Sequence, residues 1–172
     1  MARRTSLREF QANLTKRLAE AQISQYRALL GLDSGKENWL VDLVDTGEIL
    51  PVPSLSPVPL TQAWFRGIAN IRGTLYGVVD FAAFHDMAPT PLTGHARLVL
   101  INARHRTNTA LLVNRITGLR NNDEFEDAYD TSEQRPWVAE TLADLQGHTW
   151  RRLDVIALIN APDFLEAAVM RT

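Results

Sequence analysis

The sequence predicts a mainly β protein: two linked five-stranded barrels, with an N-terminal helical extension over residues 1–36 and a C-terminal helix. Three observations carry this. From Trp39 onward the apolar residues run in short Val-, Leu- and Ile-rich stretches of strand length. Prolines and glycines punctuate those stretches at strand-like intervals. Finally, the chain echoes itself. The strand-turn unit ending in Thr46-Gly47 recurs at Thr117-Gly118, and YGVVDFAAF recurs as LDVIALINAPDF. Two copies of a small β unit are what two linked barrels look like in sequence. An echo this short can also arise by chance, so it supports the reading without carrying it alone.

Taken in order, residues 6–30 read as an amphipathic helix. Ser6 and Glu9 form a capping-box pattern. Leu7, Phe10, Leu14, Leu18, Ala21, Tyr26, Leu29 and Leu30 make a stripe at helical spacing, and Gly31 is a stop signal. Such a stripe either packs on the body of the protein or binds a partner. DSGKEN (33–38) reads as a loop, and WLVDLVDTGEIL (39–50) as two strand pieces parted at Thr46-Gly47. The four prolines of LPVPSLSPVP (50–59) make an extended connection, because proline lacks an N–H and fixes φ. One helical turn is expected at 60–65, strands at 67–72 and 74–79, and a short helix at 80–86. The segment MAPTPLTGH (87–95) is the expected boundary between the lobes of a domain spanning 37–172. Beyond it, ARLVLINA (96–103) reads as a buried strand, RHRTN (104–108) as a hairpin turn, and TALLVNRITGLR (109–120) as a strand pair. An acidic loop (121–135), a mixed segment (137–148), a strand over 150–159 and a helix over 161–170 complete the chain.

Composition limits the function classes. A chain of 172 residues buries roughly 70% of its unfolded surface and needs no covalent staples. With no cysteine, disulfides and thiolate metal sites are excluded. A net charge of −2 gives no electrostatic footprint for nucleic acid. No apolar run approaches the roughly 20 residues that span a bilayer, and the basic N-terminus lacks the apolar core of a signal peptide, so a cytoplasmic protein is expected.

Catalytic and cofactor signatures are missing. There is neither a G-x-G-x-x-G nor a Walker loop. His85, His95, His105 and His148 lack ligand spacing and read as surface residues. The acidic run Asp123, Glu124, Glu126, Asp127 and Asp130 lacks the glycine that a calcium loop needs, and reads as a solvated loop. No catalytic residue, metal or cofactor is expected. An enzyme or ligand-binding barrel of unknown substrate remains the alternative, although no compact acid–base set supports it. Arg66-Gly67 and Arg72-Gly73 stand out: glycine permits φ > 0 or close approach at a strand end, and arginine projects a rigid five-donor fork. On chemistry alone Arg72 is equally a hairpin-supporting surface residue.

The segment PVPLTQAWFRGIANIRGTLYGVVDFAAF (57–84) resembles the CheW family of chemotaxis coupling proteins through Pro59, Phe65, Gly67, Asn70, Ile71, Arg72, Gly73, Val78, Val79 and Asp80. The similarity extends from about Trp39 to Phe164, strongest over 57–84 and weak after 96. The resemblance implies SH3-like barrels meeting at a hydrophobic seam, and a protein that performs no chemistry. It implies two partners, the regulatory domain of a CheA-like histidine kinase and the cytoplasmic tip of a methyl-accepting chemoreceptor. By the same resemblance Glu48 and Ile49 line the groove that meets receptor helices, with Leu43 on the same strand, while Gly67, Asn70 and Arg72 fall where receptor and kinase coupling is set. The N-terminal extension and the aromatic-rich hairpin look more like the branch of the family that controls type IV pili and twitching motility than like flagellar chemotaxis members.

Overall fold

The computed structural model describes residues 28–128 and 130–168. The helix expected over 6–30 lies mostly outside that span. Where its end is described, it is strand. β1 (Ala28–Ser34) turns at Gly35 into β2 (Glu37–Asp42). Residues 28–36 therefore belong to the β body. Leu29, Leu30 and Leu32 are buried there because β1 has sheet neighbours on both sides. The 33–38 loop shrinks to a two-residue turn.

A 3₁₀ turn (Leu43–Asp45) leads into β3 (Thr46–Pro51), and β4 (Phe65–Ile71) pairs with β5 (Thr74–Asp80). No helix forms at 60–65. Turns at 59–60 and 63–64 flank Thr61, which bridges Ala168 near the end of the described chain. Helix α1 (Phe81–Phe84) follows β5, then β6 (Arg97–Ile101) and β7 (Thr109–Val113). β8 (Arg115–Asn121), β9 (Phe125–Asp127), β10 (Val138–Asp144) and β11 (Thr149–Leu153) complete the strands. The expected strand over 150–159 stops at Leu153. Asp154 accepts a hydrogen bond from the Ala157 amide and starts helix α2 (Val155–Asn160), which is followed by α3 (Pro162–Leu165).

The strands form two sheets, in the orders β3-β6-β7-β5-β4 and β8-β1-β2-β11-β10-β9. Setting aside the three-residue β9, the two sheets repeat one pattern of pairings: antiparallel, antiparallel, parallel, antiparallel. The sequence echo is thus real in structure. Thr46 and Thr117 lie on matching edge strands, each beside a register shift. Asp80 and Asp154 cap the matching helices. The second sheet, however, takes two of its inner strands, β1 and β2, from before the first sheet in the chain. β7 and β8 are separated into different sheets by Asn114, so 109–120 is not a hairpin. The 87–95 segment joins α1 to β6 within the territory of one sheet and is not a boundary between lobes.

The central strands are buried on both faces, which explains their unbroken apolar runs. On β6 and β7, Val99, Ile101, Leu111 and Val113 enter the main core, while Leu98, Leu100, Ala110 and Leu112 fill the inside of their own sheet. The main core also takes Leu30, Leu32, Trp39 and Val41 from the other sheet, so it is the seam that welds the two together. A small third cluster, Leu29, Leu40, Leu142 and Trp150, fills the second sheet. The first sheet curls until its edges meet: Ser56 and Ile68 exchange two backbone hydrogen bonds of 2.8 Å, tying the chain after β3 to β4.

Candidate protein-interaction site

The β4–β5 turn places two residues with positive φ in succession, Arg72 at 52° and Gly73 at 87°, between the paired Ile71 and Thr74. That is the two-residue turn whose twist matches the strands it joins. Asn70 fixes it, its side-chain oxygen accepting a 2.9 Å hydrogen bond from the Gly73 amide. The turn holds Arg72 rigidly outward. Because the sheet curls, the guanidinium reaches Glu48 on β3, donating from Nη2 to Oε1 at 2.8 Å. The pair is exposed, Arg72 by 78% and Glu48 by 38%, so it adds at most about 1 kcal/mol to stability. Ile49, beside Glu48, is also exposed.

Of the six residues expected to make contacts, Glu48, Ile49, Asn70 and Arg72 are thus gathered at the surface of one sheet. The other two sit differently. Leu43 is not on the β3 strand; it starts the 3₁₀ turn before it, half-buried, its carbonyl accepting from the Thr46 hydroxyl at 2.8 Å. Gly67 is buried at a bulge with φ 114°, and an added Cβ would lie 2.2 Å from the Ser56 carbonyl oxygen. Glycine is required there so that the sheet can close on itself.

The second arginine of the motif turns inward. Arg66 Nη1 donates to Asp80 Oδ2 at 3.1 Å, and the Asp80 side chain is fully buried. Asp80 also accepts from the Thr90 amide and hydroxyl, both at 2.8 Å, and from the Ala83 amide. One carboxylate thus fastens β4, the start of α1 and the 87–95 segment.

Two histidines expected at the surface are packed inside. The His105 side chain is 6% exposed, with Nε2 2.8 Å from Asp45 Oδ1. His85 stacks on Trp39 at 5.0 Å between ring centroids, and its Nε2 accepts from Trp137 Nε1 at 2.9 Å. Burial, and then the Arg135 charge, lower its pKa to about 3, so the ring is neutral. The end of the acidic loop is clamped as well. Arg135 grips Glu37 bidentately at 2.9 and 3.0 Å and Glu133 at 2.6 Å, and Arg151 Nε binds Glu133 at 2.8 Å. The hydrogen bond from Arg135 is the chief cause holding the Glu133 carboxyl down at about 2. Isolated residue types in a sequence gave no sign of this network; its partners come from β2, β11 and the loop.

Fold and surface together define a class of protein: a duplicated small β-sheet domain with one fused core, carrying a rigid polar hairpin on its outside. The chain belongs to the CheW-like domain family, whose model matches residues 28–163. Among curated proteins it is similar to Protein PilI of Pseudomonas aeruginosa, 26% identical over 91 residues. That match covers 50% of this chain and 51% of the relative, about half the length of each. Among solved structures it is similar to the scaffolding protein TtCheW of Thermoanaerobacter tengcongensis, with a TM-score of 0.66 over 80% of this chain and 94% of that one. At 15% identity that likeness speaks for the fold. Among the described residues no helix is long and apolar enough to cross a membrane.

Proposed function

We propose that the protein is a non-enzymatic cytoplasmic adaptor, coupling the cytoplasmic tip of a methyl-accepting chemoreceptor to the regulatory domain of a CheA-like histidine kinase. The pathway is the one controlling type IV pili and twitching motility, as the likeness to PilI suggests. The observation that carries the reading is the exposed Arg72–Glu48 pair, held on a rigid turn at the surface of a closed sheet, where the ion pair does little for stability. A charged pair at the rim of a contact orients a partner and rejects wrong ones more than it adds affinity. Ile49 beside it supplies apolar contact area.

The test is a calorimetric titration with the kinase regulatory domain and with a receptor-tip fragment. Wild-type protein binds both. Arg72→Ala weakens binding while its unfolding free energy stays within about 1 kcal/mol of wild type, as expected for an exposed side chain. No binding to either partner sinks the adaptor reading. Unchanged binding with a large loss of stability makes Arg72 a structural residue instead.

A further inference from the structure

The start of β1 lies at an apolar surface on the edge of the seam between the sheets. On β8, Leu119 pairs with Leu30 and Asn121 with Ala28. Residues paired across a ladder share a face, so Leu119 lies on the face that Leu30 turns to the main core. Leu30 is buried there, but Leu119 is 64% exposed, because β8 is the last strand on that side of its sheet. On the other side of β1, β2 ends at Asp42 opposite Leu29 and passes into the 3₁₀ turn, which sets half-buried Leu43 and Val44 against β1. Exposed Asp123, Glu126 and Asp127 follow closely after β8.

The sequence that precedes Ala28 matches this surface in chemistry. Residues 1–27 carry the apolar stripe of Leu7, Phe10, Leu14, Leu18 and Ala21. They also carry six basic residues against two acidic ones, a net +4 in a chain whose total is −2, which leaves the remainder at −6. An amphipathic stretch of this length is marginal as a helix in water and gains its stability by burying its apolar face. Only a short link separates Ala21 from Ala28, so the stripe is held at high effective concentration over the surface beside it. We infer that the stripe of residues 7–21 docks on Leu43, Val44 and Leu119 of its own molecule, with its basic residues drawn to the acidic segment after β8. Leu43 is among the residues that the resemblance assigns to receptor contact. The docked segment thus covers one end of that contact and competes with the receptor tip; this consequence, but not the docking, rests on the adaptor reading.

The chain has no cysteine, so a single Asn13→Cys change, outside the stripe, takes a nitroxide spin label at one place. In the full chain this label is expected to broaden the amide NMR signals of Leu43, Val44 and Leu119 strongly. The double change Phe10→Ser, Leu14→Ser is expected to abolish most of that broadening, because a loose tether spreads the label over a large volume. Both substitutions lie outside the β body, so the fold of the reporting residues is not at stake. Equal broadening in the double variant, or broadening confined to other surfaces, overturns the docking. Broadening passed to isotope-labelled molecules that carry no spin label overturns the intramolecular assignment and makes the occupant a second copy. A receptor-tip fragment is expected to bind the double variant severalfold more tightly than wild type, since docking lowers the fraction of binding-competent molecules. Equal binding to both overturns the competition. Binding to neither counts against the adaptor reading, and the spin-label result then still decides the docking.

Discussion

A carboxylate with no exposure must have its charge met inside the protein, and Asp80 meets it with four hydrogen bonds, from Arg66, Ala83 and twice from Thr90. The energetic consequence lies in asymmetry. Such a group adds little net stability compared with an apolar core, but removing one partner leaves others buried and unsatisfied. Asp80→Ala strands the Thr90 hydroxyl and the half-buried Arg66 together, and removes the α1 cap. The expected loss is about 3–5 kcal/mol in a urea titration. A loss below about 1 kcal/mol would show that water replaces the carboxylate at no great cost. The contrast with Arg72 is instructive. Two Arg-Gly pairs look alike in sequence, yet one arginine is an internal tie and the other an exposed contact. What separates them is strand register: Arg66 is the unpaired residue of a bulge and reaches Asp80, whereas Arg72 sits in the turn itself.

At the scale of elements, α1 and the loop over 130–137 are held by groups that titrate. His85 at the C-terminal end of α1 has a folded pKa of about 3 against 6.5 when unfolded. Between those values the unfolded chain binds the extra proton, so stability rises with pH across that window and falls as pH drops below 6.5. The slope approaches about 1.4 kcal/mol per pH unit. Glu133, lowered from 4.5 to about 2, adds to the loss only below about pH 4.5. Denaturant titrations at pH 7.5, 6.5, 5.5 and 5.0 are therefore expected to show a flat region and then a decline, and His85→Gln, which keeps an acceptor for Trp137, removes the decline. An equal slope in the variant would assign the effect elsewhere. Elements also show what was legible in the sequence. Strands β2, β6 and β7 were readable because burial on both faces leaves unbroken apolar runs. β1 was not, because Leu29, Leu30 and Gly31 fit the end of a helical stripe equally well, and only pairing to β2 and β8 decides. The turn at Arg72 and Gly73 was legible from its glycine, whereas Asn70 was singled out by the resemblance alone, and its hold on the Gly73 amide is visible only in the structure. Gly67 was visible as a glycine, but its reason, the passing Ser56 backbone, comes from a contact between distant segments.

The whole molecule is a pair of matching sheets, one of which is assembled from both ends of the chain. Parallel pairing of β2 with β11 puts Asn38 beside Trp150 and Val41 beside Leu153, so the second sheet closes only after almost all of the chain is present. The main core draws on both sheets, so beyond its own small interior cluster each sheet leaves an apolar face that only the other covers. Long-range pairings of this kind cost loop-closure entropy before they return any stability, which makes folding slow and concerted. The strongest consequence concerns where the chain can be cut. A boundary at 87–95 would make residues 1–95 an independent barrel. The topology says otherwise: that fragment ends before β6 and β7, which fill the middle of the first sheet, and it leaves β1 and β2 without β8 and β11. A protein ending at residue 95 is expected to give collapsed NMR signal dispersion and no cooperative thermal transition. The full chain should unfold in one step, with calorimetric and van't Hoff enthalpies in agreement. A folded 1–95 fragment, or two separate transitions in the full chain, would mean that the sheets are independent after all, and that the shared core is a contact between finished domains and not the condition for either to exist.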